Sequence, residues 1–280
     1  MGHIQFLNCL PLYWGLVNSG ALVDVDLTKD TPDNLNEALV RGDLDIGPIS
    51  LVPYLEHAED LVLLPGIAVG SDGPVLSCVI VGHRAPEDLD GAHVALGSTS
   101  RTSVLLARML LEDRYGVRPT YTTMPPELGP MLREADAAVL IGDPALRATH
   151  EAAARGLHLT DLGAAWREWS GLPMVFAVWA ARREYAEQHP ERVASVHAAF
   201  LRSHSLALGQ LDAIAEEAAR YEELGAADLA RYFRTLDFSL GPRQLAGLRE
   251  FGRRAALRGA APARPQIRIL DVPDAVDTPA

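Results

Sequence analysis

The chain has 280 residues, enough to bury a sizeable core and to form two domains. Apolar residues make up 48% of it, too many for a disordered chain, yet no apolar run reaches the roughly 18–20 residues that a membrane helix requires. Its 37 acidic side chains outnumber 25 basic ones, a formal charge of −12 with no basic block to offset it. That balance argues against nucleic acid as a partner and leaves room for a small anion held by local dipoles.

HIQFL (3–7) reads as a short strand, with Asn8 at its end, and Pro11 opens a helix that Ser19-Gly20 closes. LVDVDL (22–27) alternates as a strand does. Thr31 can cap a helix with a stripe of Leu35, Ala38 and Leu39, and Gly42 ends it. LDIGPIS is a buried strand, followed by a short helix that Ser50 can cap. LVLLPGIAVG offers a pair of strands, and PVLSCVIVG is strongly β-prone.

After an acidic turn over PEDLD the pattern restarts. HVALG is a strand, GSTSRTS leads into the helix VLLARMLLEDRYG, and residues 128–136 form another helix. AAVLIGD is a strand, PALRATHEAAARG a helix, LHLTDLG extended, AAWREWSG helical and PMVFAVWAA a strand. From residue 183 the chain is helical only. Pro190 opens a long helix to about residue 221, and Gly225 and Gly241-Pro242 separate two more. The Pro-rich end reads as a surface tail with one extended piece.

Two strand–helix blocks and a helical end imply an α/β protein of two lobes with open, mostly parallel sheets. In such sheets a ligand sits beyond the carboxyl ends of the strands, where Asn8, Ser50, the GSTS stretch and Asp143 all fall. GSTSRTS places more hydroxyls at a helix start than one cap needs, so its free N–H groups and hydroxyls form a candidate anion site. It lacks the Gly-Lys-Ser/Thr ending of a phosphate loop, which favours a carboxylate ligand.

Each of these residues also has a plainer reading. Asn8 can hold a turn through its own backbone, Ser50 and Asp143 can cap the helices that follow, and Ser77 can bond a neighbouring carbonyl. Asp72 in SDGP is a turn residue. His57, His150, His189, His197 and His204 read as surface groups on helices, and Trp166, Trp169 and Trp179 as packing. Cys9 and Cys78 read as free buried thiols. No metal or cofactor motif is present, and neither is a serine-nucleophile elbow. A site of amides, hydroxyls and helix starts without a strong base suits a binding protein, or an enzyme that works by positioning.

The ordered set FLNCLPLYWGL, TPDNLNEALVRGDLDIGPISLVPYL, LPGIAVGSDGPVLS, GSTSRTSVLLARMLLEDRYG, LIGDPAL and DLGAAWREWSGLPMVFAVWAAR resembles the chorismate dehydratases of the futalosine route to menaquinone, over about residues 3–260. The resemblance implies a two-lobed fold like a type II periplasmic binding protein, with mixed, mostly parallel sheets and a cleft between lobes. Residues 1–82 with 179–280 would form lobe one and 83–178 lobe two, with crossings near 81–83 and 176–179.

The implied reaction removes water from chorismate, a dicarboxylate, to give 3-[(1-carboxyvinyl)oxy]benzoate, with a carboxylate of the substrate itself as base and no cofactor. Asn8 would bond the substrate near the departing hydroxyl, and Ser77 would hold the enolpyruvyl carboxylate or the ring hydroxyl. Ser50, Gly97, Ser100, Thr102, Ser103, Gly142 and Asp143 would complete the substrate-binding set. Arg101 stands where the family leads one to expect a small or acidic residue, and it is read as pointing to solvent. The sister enzyme that makes dihydroxynaphthoate uses a His base, for which no strand-end His is found here.

Two other readings stand beside the dehydratase: a receptor that captures a small carboxylate, and the sensing domain of a regulator. The start of the chain shows no basic and apolar leader and no helix-turn-helix ahead of the first strand, so a cytoplasmic enzyme is expected. Neither nucleic acid nor membrane is expected as a partner.

Overall fold

The computed structural model describes residues 1–4, 6–18 and 25–271. Strand β1 (Gly2–Ile4) is followed by a single 3-10 turn, Leu7–Cys9, and by α1 (Leu10–Asn18). Asn8 therefore sits on a turn and not at a strand end; the strand expected over 3–7 is described only to Ile4, and Gln5 lies outside the described residues. Of the strand expected over 22–27, residues 22–24 lie outside the described residues and 25–27 have no regular structure. The strand that pairs in parallel with β1 is β2 (Thr28–Asp30).

Next comes α2 (Pro32–Arg41), where Thr31 Oγ1 accepts from the Asn34 amide at 3.5 Å and Gly42 ends the helix at φ 89°. It is followed by β3 (Ile46–Ser50), α3 (Leu51–Glu56) and β4 (Leu61–Ser71). LVLLPGIAVG forms one strand and not two, because β4 absorbs its Pro-Gly step as an irregularity in register and continues.

The second block holds β5 (Cys78–Gly82), β6 (His93–Gly97), α4 (Thr102–Met109) with a π-helical turn over Leu110–Arg114, and β7 (Thr120–Met124). It continues with α5 (Leu128–Glu134), β8 (Ala137–Ile141), α6 (Gly142–Glu151), β9 (His158–Asp161) and α7 (Leu162–Ser170). Sequence patterning misses β7, since TYTTM is an edge strand without apolar alternation. Strand β10 (Met174–Arg182) is buried along nearly its whole length. The helical end comprises α8 (Arg183–Gln188), α9 (Pro190–Leu208), α10 (Leu211–Ala218), α11 (Ala226–Thr235) and α12 (Pro242–Leu257). The helix expected from Pro190 to about 221 is thus broken after Leu208, where the amide of Gln210 closes a turn onto Ala207.

The strands form a parallel pair β1–β2, a sheet in the order β3–β10–β4 and a sheet in the order β7–β6–β8–β5–β9. Parallel ladders join β6 to β7 and β8, whereas every ladder involving β5 or β10 is antiparallel. The parallel share is smaller than strand–helix alternation implies, because these two strands, each entered just after the chain changes sheet, run against their neighbours. All of β5 belongs to the five-stranded sheet and all of β10 to the three-stranded one. The chain therefore changes sheet within 72–77 and 162–173, ahead of the crossings expected at 81–83 and 176–179.

Helix α9 packs along α1, and Ser203 ties them: its hydroxyl donates to Leu12 O at 2.6 Å and accepts from the Leu16 amide at 2.9 Å. His197, expected at the surface, is 5% exposed with Nε2 2.7 Å from Pro65 O, because α9 lies over β4. Trp166 and Trp179 are fully buried, and Cys9 and Cys78 are free and buried, as expected. Residues 268–270 of the tail form the expected extended piece, docking on Leu63 of β4 through two backbone bonds.

Candidate functional site

The expected site residues meet along the seam where the elements around the three-stranded sheet face those of the five-stranded sheet. On one side stand the Leu7–Cys9 turn and the junction of β3 with α3. On the other stand the starts of α4 and α6 and the loop that leads into β5.

At β3, Ser50 does not cap α3 with its side chain. Its hydroxyl accepts from Asn36 Nδ2 at 3.3 Å, and its amide donates to Asn36 Oδ1 at 2.9 Å. The α3 amide at Val52 is satisfied across the seam by Thr102 Oγ1, at 3.0 Å. Ser100 caps its own helix by accepting from the Ser103 amide at 3.1 Å, and Ser103 donates to Cys78 Sγ at 3.5 Å. Three hydroxyls of GSTSRTS are therefore engaged within the protein, and of these Thr102 bonds across the seam. Gly97 lies where a Cβ would come within 3.0 Å of Val139 O, so its small size serves the close packing of β6 on β8. Arg101 does not simply point to solvent: it reaches Glu56 of α3 at 2.6 Å.

Ser77 is buried, in a tight turn before β5, and its amide donates to Val75 O. The preceding Leu76 has φ 62°, the single non-glycine residue with positive φ among those described. Asp161 enforces this conformation. Its carboxylate accepts from Leu76 N at 2.6 Å and from Val75 N at 3.0 Å, as well as from Ala164 N at the start of α7. Burial outweighs these bonds and holds the Asp161 pKa above the ordinary carboxylate value. Strain held by a half-buried carboxylate beside a candidate functional serine is the pattern of a preorganised site.

Beyond β8, Gly142 N donates to Ser77 O at 2.8 Å. Gly142 has φ 62°, and the Phe6 ring lies so close that a Cβ there would be 2.9 Å from its Cδ2. Asp143 does not cap α6 as the plainer reading has it; its Oδ1 accepts from the Leu7 amide at 3.1 Å, 136 residues away in sequence. Burial pushes the Asp143 carboxyl up to about 6, with Glu222 adding to the rise and the Leu7 bond and Arg147 opposing it.

Asn8 follows directly. Its Oδ1 is buried and has no hydrogen-bond partner. The Tyr232 hydroxyl of α11 is likewise buried without a well-formed bond; it lies beside the Ser77 hydroxyl, with Cys9, Cys78 and Asp143 as further neighbours. Buried polar atoms are nearly always bonded; five side-chain atoms among the described residues are not, and Asn8 Oδ1 and the Tyr232 hydroxyl among them make this seam a candidate place for a polar ligand.

Sequence reasoning missed Asn36, Asp161, Phe6 and Tyr232. Asn36, beside Leu35 in an apolar stripe, and Asp161, just ahead of a helix, carried a local signal; Tyr232 carried none. His3 was also missed as a site neighbour. It stacks on Tyr13 at 3.9 Å and lines a cavity of about 380 Å³ together with Phe6, Leu7 and Asp143. Burial and then Lys29 push its pKa down to about 4.

Two sheets joined by crossing segments, with polar groups from both converging at their seam, define the class of proteins built like periplasmic binding proteins. Solved structures agree. A protein from Archaeoglobus fulgidus superposes with a TM-score of 0.75 at 19% identity, covering 92% of this chain and 96% of its own. The periplasmic aliphatic sulphonate binding protein from Escherichia coli superposes at 0.68 with 18% identity, covering 100% and 94%. Within that class, residues 1–257 match the model of the menaquinone biosynthesis family, VitK2_biosynth, and the chain belongs to that family. It is 31% identical to a chorismate dehydratase from Thermus thermophilus over 264 residues, 90% of this chain and 93% of the relative. It is also 31% identical to a 1,4-dihydroxy-6-naphtoate synthase from Streptomyces coelicolor over 188 residues, 64% of this chain and 63% of that one.

Proposed function

We propose that this chain is a chorismate dehydratase, a hydro-lyase that eliminates water from chorismate to give 3-[(1-carboxyvinyl)oxy]benzoate in the futalosine route to menaquinone. The observation that carries the reading is the bare, buried Oδ1 of Asn8 in a shell whose other polar groups are mostly bonded. An amide acceptor at that place takes the hydrogen bond of a substrate hydroxyl. The 31% identity with a chorismate dehydratase over nearly the whole chain supports it.

In the reaction a proton passes from the ether-bearing ring carbon to the substrate's carboxylate, the C–O bond on the neighbouring carbon breaks, and the departing hydroxide takes up that proton, so that one water departs and the ring becomes aromatic. Aromatisation supplies the driving force, and the enolpyruvyl carboxylate of the substrate serves as the base. What remains for the protein is orientation and exclusion of water. In this reading Asn8 bonds the substrate near the departing hydroxyl, and Ser77, beside Tyr232, holds the enolpyruvyl carboxylate or the ring hydroxyl. Ser50, Thr102, Ser103 and the turn from Gly97 to Ser100 face the rest of the substrate. Two lobes, one built on the three-stranded sheet and one on the five-stranded sheet, close over it. The enzyme works in the cytoplasm and uses no cofactor. No described helix is long and apolar enough to cross a membrane.

The test is incubation of purified protein with chorismate, followed by chromatography with mass detection. A product lighter by one water with an aromatic absorption spectrum is expected. Unchanged chorismate that binds in calorimetry would replace the enzyme with a receptor or sensor.

A further inference from the structure

We propose that Asp143 is a positioning residue for Asn8: its carboxylate, at the start of α6, reaches across the seam to the Leu7 amide and so fixes the turn from which Asn8 is presented. The proposal rests on the dehydratase reading for its kinetic consequences and on the geometry alone for the tether.

Three contacts converge on this turn. Asp143 Oδ1 accepts from Leu7 N at 3.1 Å. The Phe6 ring lies against Gly142, which only a residue without a side chain permits at that distance. Within the turn, Cys9 N donates to Phe6 O at 3.1 Å. A 3-10 turn of three residues has little rigidity of its own. Asn8 thus directly follows a residue packed on α6 and a residue bonded to α6, and its side-chain oxygen stays buried without a partner. The amide of an adjacent residue held by a charge-assisted bond is a means of fixing that oxygen to the accuracy a directed hydrogen bond needs.

A direct bond from Asp143 to the substrate fits the surroundings less well. The cavity beside Asp143 also holds Glu217 and Glu222 from the α10 region, against His3 of β1 and Lys29 of β2. Cys9 of the turn and Tyr232 of α11 lie near it as un-ionised groups, and Arg147 on its own helix opposes Glu222. A dicarboxylate brought against this carboxylate meets repulsion, whereas a backbone N–H meets a strong acceptor. Asp143 serves the site through Asn8 and not as the substrate contact expected from its place in LIGDPAL.

An ionised carboxylate accepts more strongly than a neutral acid or amide, and a methyl group does not accept at all. This sets an order that a purely structural role would not produce. The experiment compares wild type, Asp143→Asn and Asp143→Ala as full chains, by steady-state turnover of chorismate from pH 5 to 8 and by hydrogen exchange of the Leu7 amide. Wild-type kcat is expected to rise a few-fold as pH passes about 6 and then level. Asp143→Asn should give a pH-independent kcat near the low-pH value of wild type. Asp143→Ala should fall more than tenfold in kcat with KM within about threefold.

Leu7 exchange should be slowest in wild type, intermediate in Asn and at least tenfold faster in Ala. Equal kcat in the Asn and Ala variants, a pH limb that survives in Asp143→Asn, or an Ala variant within twofold of wild type would overturn the proposal. Should Asp143→Ala fail to fold, the Asn variant's pH profile and Leu7 exchange decide alone. Should wild type not turn chorismate over, the dehydratase reading fails, and unchanged Leu7 exchange in both variants is then what removes the tether.

Discussion

Gly142→Ala tests whether the packing of Phe6 on α6 matters to the site, and its size follows from two separable costs. The backbone there has φ 62°, and a non-glycine residue in that region costs about 1–2 kcal/mol. The added Cβ would lie 2.9 Å from Phe6 Cδ2. Carbon atoms in contact prefer about 3.5–4.0 Å, so the ring must retreat by roughly 0.6–1 Å. Overpacking of this kind costs about 1–3 kcal/mol, giving a total of about 2–5 kcal/mol.

Gly91 supplies the control. It has φ 66° with open space around its Cβ position, so Gly91→Ala should show the backbone cost alone. The two variants are compared by urea unfolding and by turnover. Gly142→Ala is expected to be less stable than Gly91→Ala by about 1–3 kcal/mol and to lose roughly tenfold or more in kcat, since misplacement by about 1 Å near reacting groups can cost 10²-fold. Equal stabilities with turnover of Gly142→Ala near wild type would refute the reasoning. They would mean that Phe6 moves freely and does not help to place Asn8.

Asn8→Ala should lower kcat about 100-fold, the scale of losing one directed transition-state bond, with a melting temperature near that of wild type, because its Oδ1 has no bond in the protein to lose; normal turnover would remove Asn8 from the mechanism. Asp161→Ala strands the Val75 and Leu76 amides and should cost about 3 kcal/mol in urea unfolding, at roughly 1–3 kcal/mol per unpaired group. Arg101 and Glu56 form a pair with side chains 52% and 30% exposed, so a double-mutant cycle should yield only about 0.2–1 kcal/mol of coupling.

The folded-state carboxyl of Asp143 holds its proton up to about 6, whereas an unfolded one releases it near the usual value of about 4. The folded chain thus binds more protons in that window, and this residue's contribution to stability falls as pH rises from about 4 to 6. In Asp143→Asn the unfolding free energy should decline less over that range, as measured by denaturant titrations at several pH values.

Much of the architecture is determined locally. Thr31 and Gly42 delimit α2, Gly171 ends α7 with φ 75°, and the apolar runs become β6, β8 and β10 within a residue or two, because caps, left-handed glycines and side-chain periodicity act over a single turn or pleat. Ser50 at the end of β3 and Asp143 just past β8 were also legible as strand-end residues, whereas Asn8 lies on a turn and Ser77 ahead of β5. What those side chains do there was not. Ser50 and Asp143 look like caps by sequence, yet one bonds Asn36 and the other Leu7. Thr102 satisfies a helix start on the opposite side of the seam, and Arg101 finds Glu56.

The same limit governs the sheets. Local patterning gave β5 and β10 as strands, but their antiparallel entry and the sheet each joins depend on partners about 60 to 130 residues distant. Tyr232 reaches Ser77 only because the helical end folds back over the first turn of the chain. The sequence by itself determined the caps of α2 and the apolar strands. The tertiary structure decided which hydrogen bonds the site residues spend and which oxygen is left bare, because a polar group bonds whatever burial brings to it, and burial is a property of the whole chain.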